Sequence, residues 1–337
     1  MKYAKFLNDG DSIAIIAPSD GANLKYLDNA ILNLKEIGFK VCETKDIRNS
    51  KYLVSTDAKT RASEFLKVFC NNGISHIIAA GGGEFLIDIL PYIYENKEKI
   101  QKNQKIKYVQ GFSDISLLNF YITTNFDIAT INANNIGDFA TKKMESSNML
   151  TIEFLRGKYG DTLVQNSYEK YQSKYTENKN EGYKFDKNVV YKSLDNKSRC
   201  EFSGRIIGGC VDVLTQIIGT KYDSTTKFCK SYGEGQIWYF DNAELSSVEL
   251  YRRLKQIREV GWLKYANGIL FGRRTSETII EDFTYEVAMK KALEGLNIPV
   301  IYDVDIGHVM PQFTIINGSY ATFSYSNGAG TLVQKLI

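Results

Sequence analysis

The feature that most restricts this chain is a repeated order, over its first 130 residues, of short apolar strand, turn and amphipathic helix. SIAIIAP (12–18) reads as a buried strand. Residues 23–37 then carry Leu24, Leu27, Ile31 and Leu34 at helical spacing, and Gly38 stops the helix. The pattern recurs: strand 39–43, helix 58–70, strand 75–80 running into Gly81, Gly82 and Gly83, and a helix from Glu84. Strand 105–110, a turn at Ser113, a helix to about 124 and strand 127–131 complete it. Each strand is followed by a helix long enough to cross over, which predicts an α/β domain with a doubly wound parallel sheet.

Between about 140 and 200 the periodicity fades into a polar, tyrosine-rich stretch, QNSYEKYQSKYTENKNEGYKFDKN, with Tyr168, Tyr171 and Tyr175. It reads either as a linker or as a lobe that overhangs a site. After 200 the elements return. GRIIGGCVDVLTQIIG reads as a glycine turn entering a helix, and QIWYF (236–240) as a strand. Ser246 and Glu249 form a capping box ahead of a helix to 260. Strand 267–272, a helix near 284–295 and strands from 298 to the C-terminus follow. The expected organisation is an N-terminal α/β domain over 1–145, a linker or extended middle segment over 146–200, and a β-rich mixed α/β domain over 201–337.

Composition narrows the function classes. The 42 basic and 39 acidic residues are interspersed, so neither a nucleic-acid partner nor a membrane partner is expected. SIAIIAP lies behind polar residues and is too short for a signal peptide or a membrane span. Five cysteines without CxxC spacing suit a reduced, cytoplasmic chain. With only His76 and His308, a histidine-based metal site would rest on carboxylates or thiols at unsuited spacings, so no metal or cofactor is expected.

Four short stretches carry groups that suit hydrolytic chemistry. GFSD (111–114) sets Ser113 at a strand-to-helix turn, the place for an exposed nucleophile and equally for an N-cap serine. The amide of Asp114, the next residue, suits an oxyanion donor. AAGGGEF (79–85) is either a plain flexible turn or a backbone that approaches a ligand closely. DIGHVMPQ (305–312) puts His308 on a loop after a glycine, whereas His76 lies within a strand heading for the core. WYFDNAEL (238–245) sets Asp241 and Glu244 at a strand end, where an acid either orients a histidine or forms a turn.

Taken in order, GDSIAIIAPSDG, AAGGGEF, GFSD, GRIIGGCVDVL, IWYFDNAEL, GWLKYANGILFGRR and DIGHVMPQ resemble the LD-carboxypeptidase family. These are cytoplasmic serine peptidases that act on muropeptides, and the family includes the microcin C self-immunity peptidases. The resemblance implies an active site between the two domains, with Ser113 as nucleophile and His308 as general base. It implies an oxyanion hole from the amides of Gly82 and Asp114, with Gly83 and Glu84 as candidate substrate contacts. In the family a glutamate follows the IWYF-like strand; here Asp241 stands in its place, one C–C bond shorter by roughly 1.5 Å. Either His308 sits closer or it is loosely held, with Glu244 the alternative acid. The activity implied is release of a terminal D-alanine from a muropeptide by a protein expected to be a homodimer. Two alternatives are hydrolysis of peptidyl or aminoacyl nucleotide analogues and non-catalytic muropeptide binding.

Overall fold

The computed structural model describes residues 1–176, 178–275 and 278–337. They form two compact units. One comprises Met1–Asp161, Thr176–Tyr183 and Thr314–Ile316; the other comprises Thr162–Tyr175, Lys184–Phe313 and Asn317–Ile337. Among the described residues no helix is long and apolar enough to cross a membrane, and all five cysteines are unpaired.

The first unit is built on a six-stranded sheet. Its strands in chain order are β1 (Ser12–Ile16), β2 (Lys40–Glu43), β3 (His76–Ala79), β4 (Tyr108–Gln110), β5 (Thr130–Asn132) and the late strand Ile315–Asn317. In space the order is Ile315–Asn317, β5, β4, β3, β1, β2, with β1 to β5 paired in parallel. β3 and β4 are buried along their whole length, as strands covered on both faces must be, which is why they read as unbroken apolar runs. The helices Leu24–Glu36 and Ala58–Cys70 start where Asn23 accepts from the Lys25 amide and Asp57 from the Thr60 amide. Each cap contributes about 1 kcal/mol.

One element departs from expectation. No helix begins at Glu84; the chain turns irregularly through Gly81–Glu84, forms a 3-10 turn at Leu86–Ile89, and becomes α-helical at Leu90–Glu95. The cause is tertiary. Asp114 takes the Leu86 amide at 2.9 Å, and the buried Arg61 guanidinium holds the carbonyls of Pro18 (2.9 Å) and Phe85 (3.0 Å).

His76 is a core histidine. It is fully buried, its Nε2 lies 2.9 Å from Gln110 Oε1, and burial lowers its pKa from 6.5 to about 4. The folded protein therefore binds this proton less readily than the unfolded chain. The stability it contributes is complete above pH 6.5 and is lost as the pH falls toward 4, a difference of about 3 kcal/mol. His76→Gln should gain about that much on the wild type between pH 7 and pH 4, whatever its stability at neutrality. Urea unfolding at the two pH values checks this; parallel pH dependences would show that His76 is not the proton-linked group.

The second unit carries an eight-stranded sheet. Its order is Thr162–Asn166, Ala329–Lys335, Tyr320–Ser326, Arg199–Cys210, Gln236–Asp241, Ala266–Gly272, Val300–Val304 and Lys192–Ser193. The four strands from Arg199–Cys210 to Val300–Val304 are parallel, and antiparallel strands flank them on both sides. The parallel core is aromatic: Trp238 stacks on Trp262 with ring centroids 5.7 Å apart and on Phe240 at 5.6 Å. The helix Ser247–Glu259 opens with the expected Ser246–Glu249 capping box.

GRIIGG is not a turn. Arg199–Cys210 is one twelve-residue strand that runs through it, and the helix after it is only Val211–Leu214. The glycine is there for close approach. A Cβ at Gly208 would come within 1.8 Å of the Tyr239 carbonyl oxygen on the neighbouring strand.

Candidate active site

β4 and the helix Ile115–Phe126 fix the nucleophile candidate. Gly111 continues the strand with its amide on the Ile131 carbonyl, at 3.1 Å. The Asn119 side chain, from within the helix, reaches back to the carbonyls of Gly111 and Ile131. Asn135 Oδ1 accepts from the Phe112 amide and lies where a side chain on Gly111 would go. The chain must then reverse within one residue, and that residue is Ser113, at φ 66°. This left-handed conformation costs a non-glycine residue about 1–2 kcal/mol.

An N-cap residue has an extended backbone and gives its side chain to the helix amides. Ser113 has no such backbone. The cap position is Asp114, whose side chain makes no capping bond. The capping explanation for the serine therefore fails on geometry, and the strained turn is the feature left to account for.

Gly82 lies against that serine. A Cβ on it would fall 2.8 Å from Ser113 Oγ and 3.7 Å from the Asp114 amide, so only glycine lets the two turns meet. Gly83, at φ +144°, packs on Ser19, and a Cβ there would reach 2.3 Å from Ser19 Oγ. Ser19 Oγ donates in turn to Asp114 Oδ2 at 2.5 Å. The Asp114 side chain thus ties together three loops: its own, the 18–21 turn and the start of the Leu86 turn. It is 1% exposed, and burial raises its pKa to about 6, opposed by the bonds from Ser19 and Leu86. Glu84 is exposed.

The histidine and acid candidates belong to the second unit, where they meet. His308 Nδ1 lies 2.5 Å from Asp241 Oδ2. Asp241 ends the buried strand Gln236–Asp241 and is 3% exposed. Glu244 is exposed, and its backbone amide is held by Asp212 at 2.8 Å. The close approach depends on Gly307: at φ +92°, a Cβ on it would lie 1.9 Å from Asp241 Oδ1. Asp241 and His308 therefore meet directly, with the Gly307 backbone closed onto the carboxylate.

Asp305 anchors that loop. Fully buried, it accepts from the Arg273 guanidinium, the Tyr191 hydroxyl and, at 2.9 Å, the Tyr168 amide. Arg273 also holds the carbonyls of Val309 (3.0 Å) and Pro311 (2.7 Å), and the Gln172 amide bonds Met310 O at 3.0 Å. The tyrosine-rich middle segment is therefore stitched to the loop that carries His308.

Comparison with known proteins follows both halves of the chain. Residues 13–133 match the LD-carboxypeptidase N-terminal domain and residues 203–323 the LD-carboxypeptidase C-terminal domain. This chain belongs to the LD-carboxypeptidase family. Over 327 residues, 95% of this chain and 91% of the relative, it is 23% identical to the probable murein peptide carboxypeptidase of Bacillus subtilis (strain 168). Its fold matches the MccF-like protein from Bacillus anthracis str. Ames with a TM-score of 0.81 at 24% identity, each chain covered completely. It also matches microcin C7 self-immunity protein MccF in complex with aspartyl sulfamoyl adenosine. There the TM-score is 0.82 at 20% identity, over 100% of this chain and 99% of that one.

Within this LD-carboxypeptidase family member, several positioning groups escape a linear reading. Ser19 and Arg61 lie 95 and 53 residues from Asp114, and Arg273 and Asp305 sit just past strand ends without a signature of their own. Gly307 alone had a readable signal, being the glycine directly before the histidine. A pocket of about 510 Å³ in the second unit has His308 in its wall, together with Tyr171 and Tyr175 from the middle segment.

Proposed function

We propose that this chain is a serine-type LD-carboxypeptidase that cleaves the bond between an L-centre and a terminal D-alanine in muropeptides. The observation that carries the reading is Ser113, held in a strained left-handed turn beside a glycine whose side chain would strike its hydroxyl. Such strain persists where the surrounding structure over-determines it, as at a nucleophile.

In this mechanism Ser113 Oγ attacks the scissile carbonyl while His308 Nε2 takes its proton. Asp241, at Nδ1, holds the ring in the required tautomer and stabilises the imidazolium. The amides of Gly82 and Asp114 receive the oxyanion. Collapse of the tetrahedral intermediate expels D-alanine, whose amine takes the proton from His308. Water, deprotonated by His308, then hydrolyses the acyl-serine and frees the shortened peptide. Exposed Glu84 is proposed as a contact for a substrate amine, with Gly83 shaping the turn before it.

One alternative substrate and one alternative role are tested by the same assay. The aromatic and basic pocket beside His308 suits an aminoacyl nucleotide analogue, the kind of ligand bound by the MccF relative. Purified protein incubated with muramoyl tetrapeptide and, separately, with aspartyl sulfamoyl adenosine should release D-alanine from the first, read by mass spectrometry. Cleavage of only the second moves the assignment to the nucleotide analogue. Tight binding of tetrapeptide without turnover makes the protein a binder.

A further inference from the structure

The pocket beside His308 has a pronounced charge asymmetry. One wall is the two-stranded ladder that pairs Lys170 with Asn188 and Tyr171 with Lys187. Lys174, Lys187, Lys192 and Arg274 line it as cations that are exposed to solvent, with Asp303 as the only acid among its lining residues. Asp303 is already spoken for, its carboxylate 2.9 Å from Lys192 Nζ. Asp186, which precedes Lys187 in the ladder, is not among the lining residues and accepts from the Ser173 amide (2.8 Å) and hydroxyl (2.6 Å). Arg273, also in the wall, is engaged by buried Asp305.

That leaves Lys174, Lys187 and Arg274. Among the described residues none of the three has a carboxylate within ion-pair distance; Arg274 instead lies over the Tyr285 ring, at 4.8 Å, which leaves its charge intact. Three like charges around one concavity repel each other. They also raise the local concentration of anions there. A solvated face would intersperse the two signs, as the rest of this chain does with 42 basic and 39 acidic residues.

We propose that this pocket is an anion-accepting subsite, in which Lys174, Lys187 and Arg274 take a carboxylate or phosphate of the substrate whose scissile bond lies at His308. The proposal rests on the carboxypeptidase reading and adds to it the charge of the substrate. A stem peptide with free carboxylates and a nucleotide phosphate offer the same chemistry, so the test has an arm for each.

The experiment compares wild type, the double reversal Lys174→Glu/Lys187→Glu and the charge-conserving Lys174→Arg/Lys187→Arg. Substrates are muramoyl tetrapeptide with free carboxylates and its amidated counterpart; adenosine monophosphate serves as competitor at low and high salt. The reversal should lower kcat/KM for the free tetrapeptide by about tenfold, through KM, and affect the amidated peptide far less. The Arg variant should behave as wild type. Competition by the monophosphate that weakens with salt and is lost in the reversal assigns the subsite to phosphate; loss for the tetrapeptide alone assigns it to carboxylate. Equal losses on free and amidated peptide, with monophosphate competition unaffected, overturn the proposal. If wild type releases no D-alanine, the carboxypeptidase reading has failed instead. Calorimetric titration of both ligands into wild type and reversal then reads the pocket directly, and equal affinities for the two proteins overturn it.

Discussion

Ser113→Ala should reduce D-alanine release by about 10⁶-fold while leaving the folded protein as stable as the wild type, and Ser113→Gly should be equally inactive yet more stable. Under the proposed mechanism the loss of activity follows from removing the nucleophile, and what remains comes from binding and the proposed oxyanion donors. The stability pattern follows from the backbone. Serine and alanine both carry a Cβ, so both bear the strain of φ 66°. Glycine does not, and it should gain about 1 kcal/mol once its greater unfolded-state entropy is set against the relief. Melting temperatures and single-turnover rates for the three proteins check both parts. A Ser113→Gly protein less stable than Ser113→Ala would mean that the turn is not strained, and a Ser113→Ala protein near wild-type activity would remove the serine mechanism.

The second large effect is expected at Asp241, where length and charge separate. Asp241→Asn keeps the shape and removes the charge that holds His308 in its tautomer, and kcat should fall by about 10³ to 10⁴-fold. Asp241→Glu, which introduces the residue that the family resemblance implies at this position, should also lose activity. The extra methylene has no room: Gly307 already closes on the carboxylate so tightly that a Cβ there would lie 1.9 Å from Oδ1, and Asp241 is 3% exposed. Overpacking of this kind costs about 1–3 kcal/mol and displaces the histidine loop. Circular dichroism melts with kcat at pH 7 distinguish the two effects. A glutamate variant that surpassed the wild type would show that the histidine loop is not fitted to the shorter acid.

The chain's own pattern carried a good deal of this. β1 to β5 and the helices Leu24–Glu36, Ala58–Cys70 and Ile115–Phe126 stand within a few residues of where apolar periodicity and the Gly38 stop put them, because those signals are local. The Ser246–Glu249 box is local in the same way and was legible for the same reason. The two misread stretches were decided by distant partners. GRIIGG looks like a turn because glycines usually make turns, but Gly208 is there to let the Tyr239 carbonyl pass. The Glu84 helix is displaced because Asp114 and Arg61, 30 residues away and 23 residues away, claim the backbone it would have used.

The candidate site divides along the same line. Residue type and order alone determined that the chain has one exposed histidine candidate, one serine at a strand-to-helix turn and acids at the end of a buried strand, since chemistry depends on which groups exist. Only the tertiary structure decided that Ser113 is not a cap, because φ is set by the whole turn, and that His308 meets Asp241 at 2.5 Å while Glu244 points to solvent. It also decided that the tyrosine-rich stretch is stitched through Asp305 and Gln172 to the His308 loop. Contacts between residues more than a hundred positions apart leave no periodicity in the chain. They exist only once burial has brought the partners within hydrogen-bond reach, and there a few tenths of an ångström settle which pair forms.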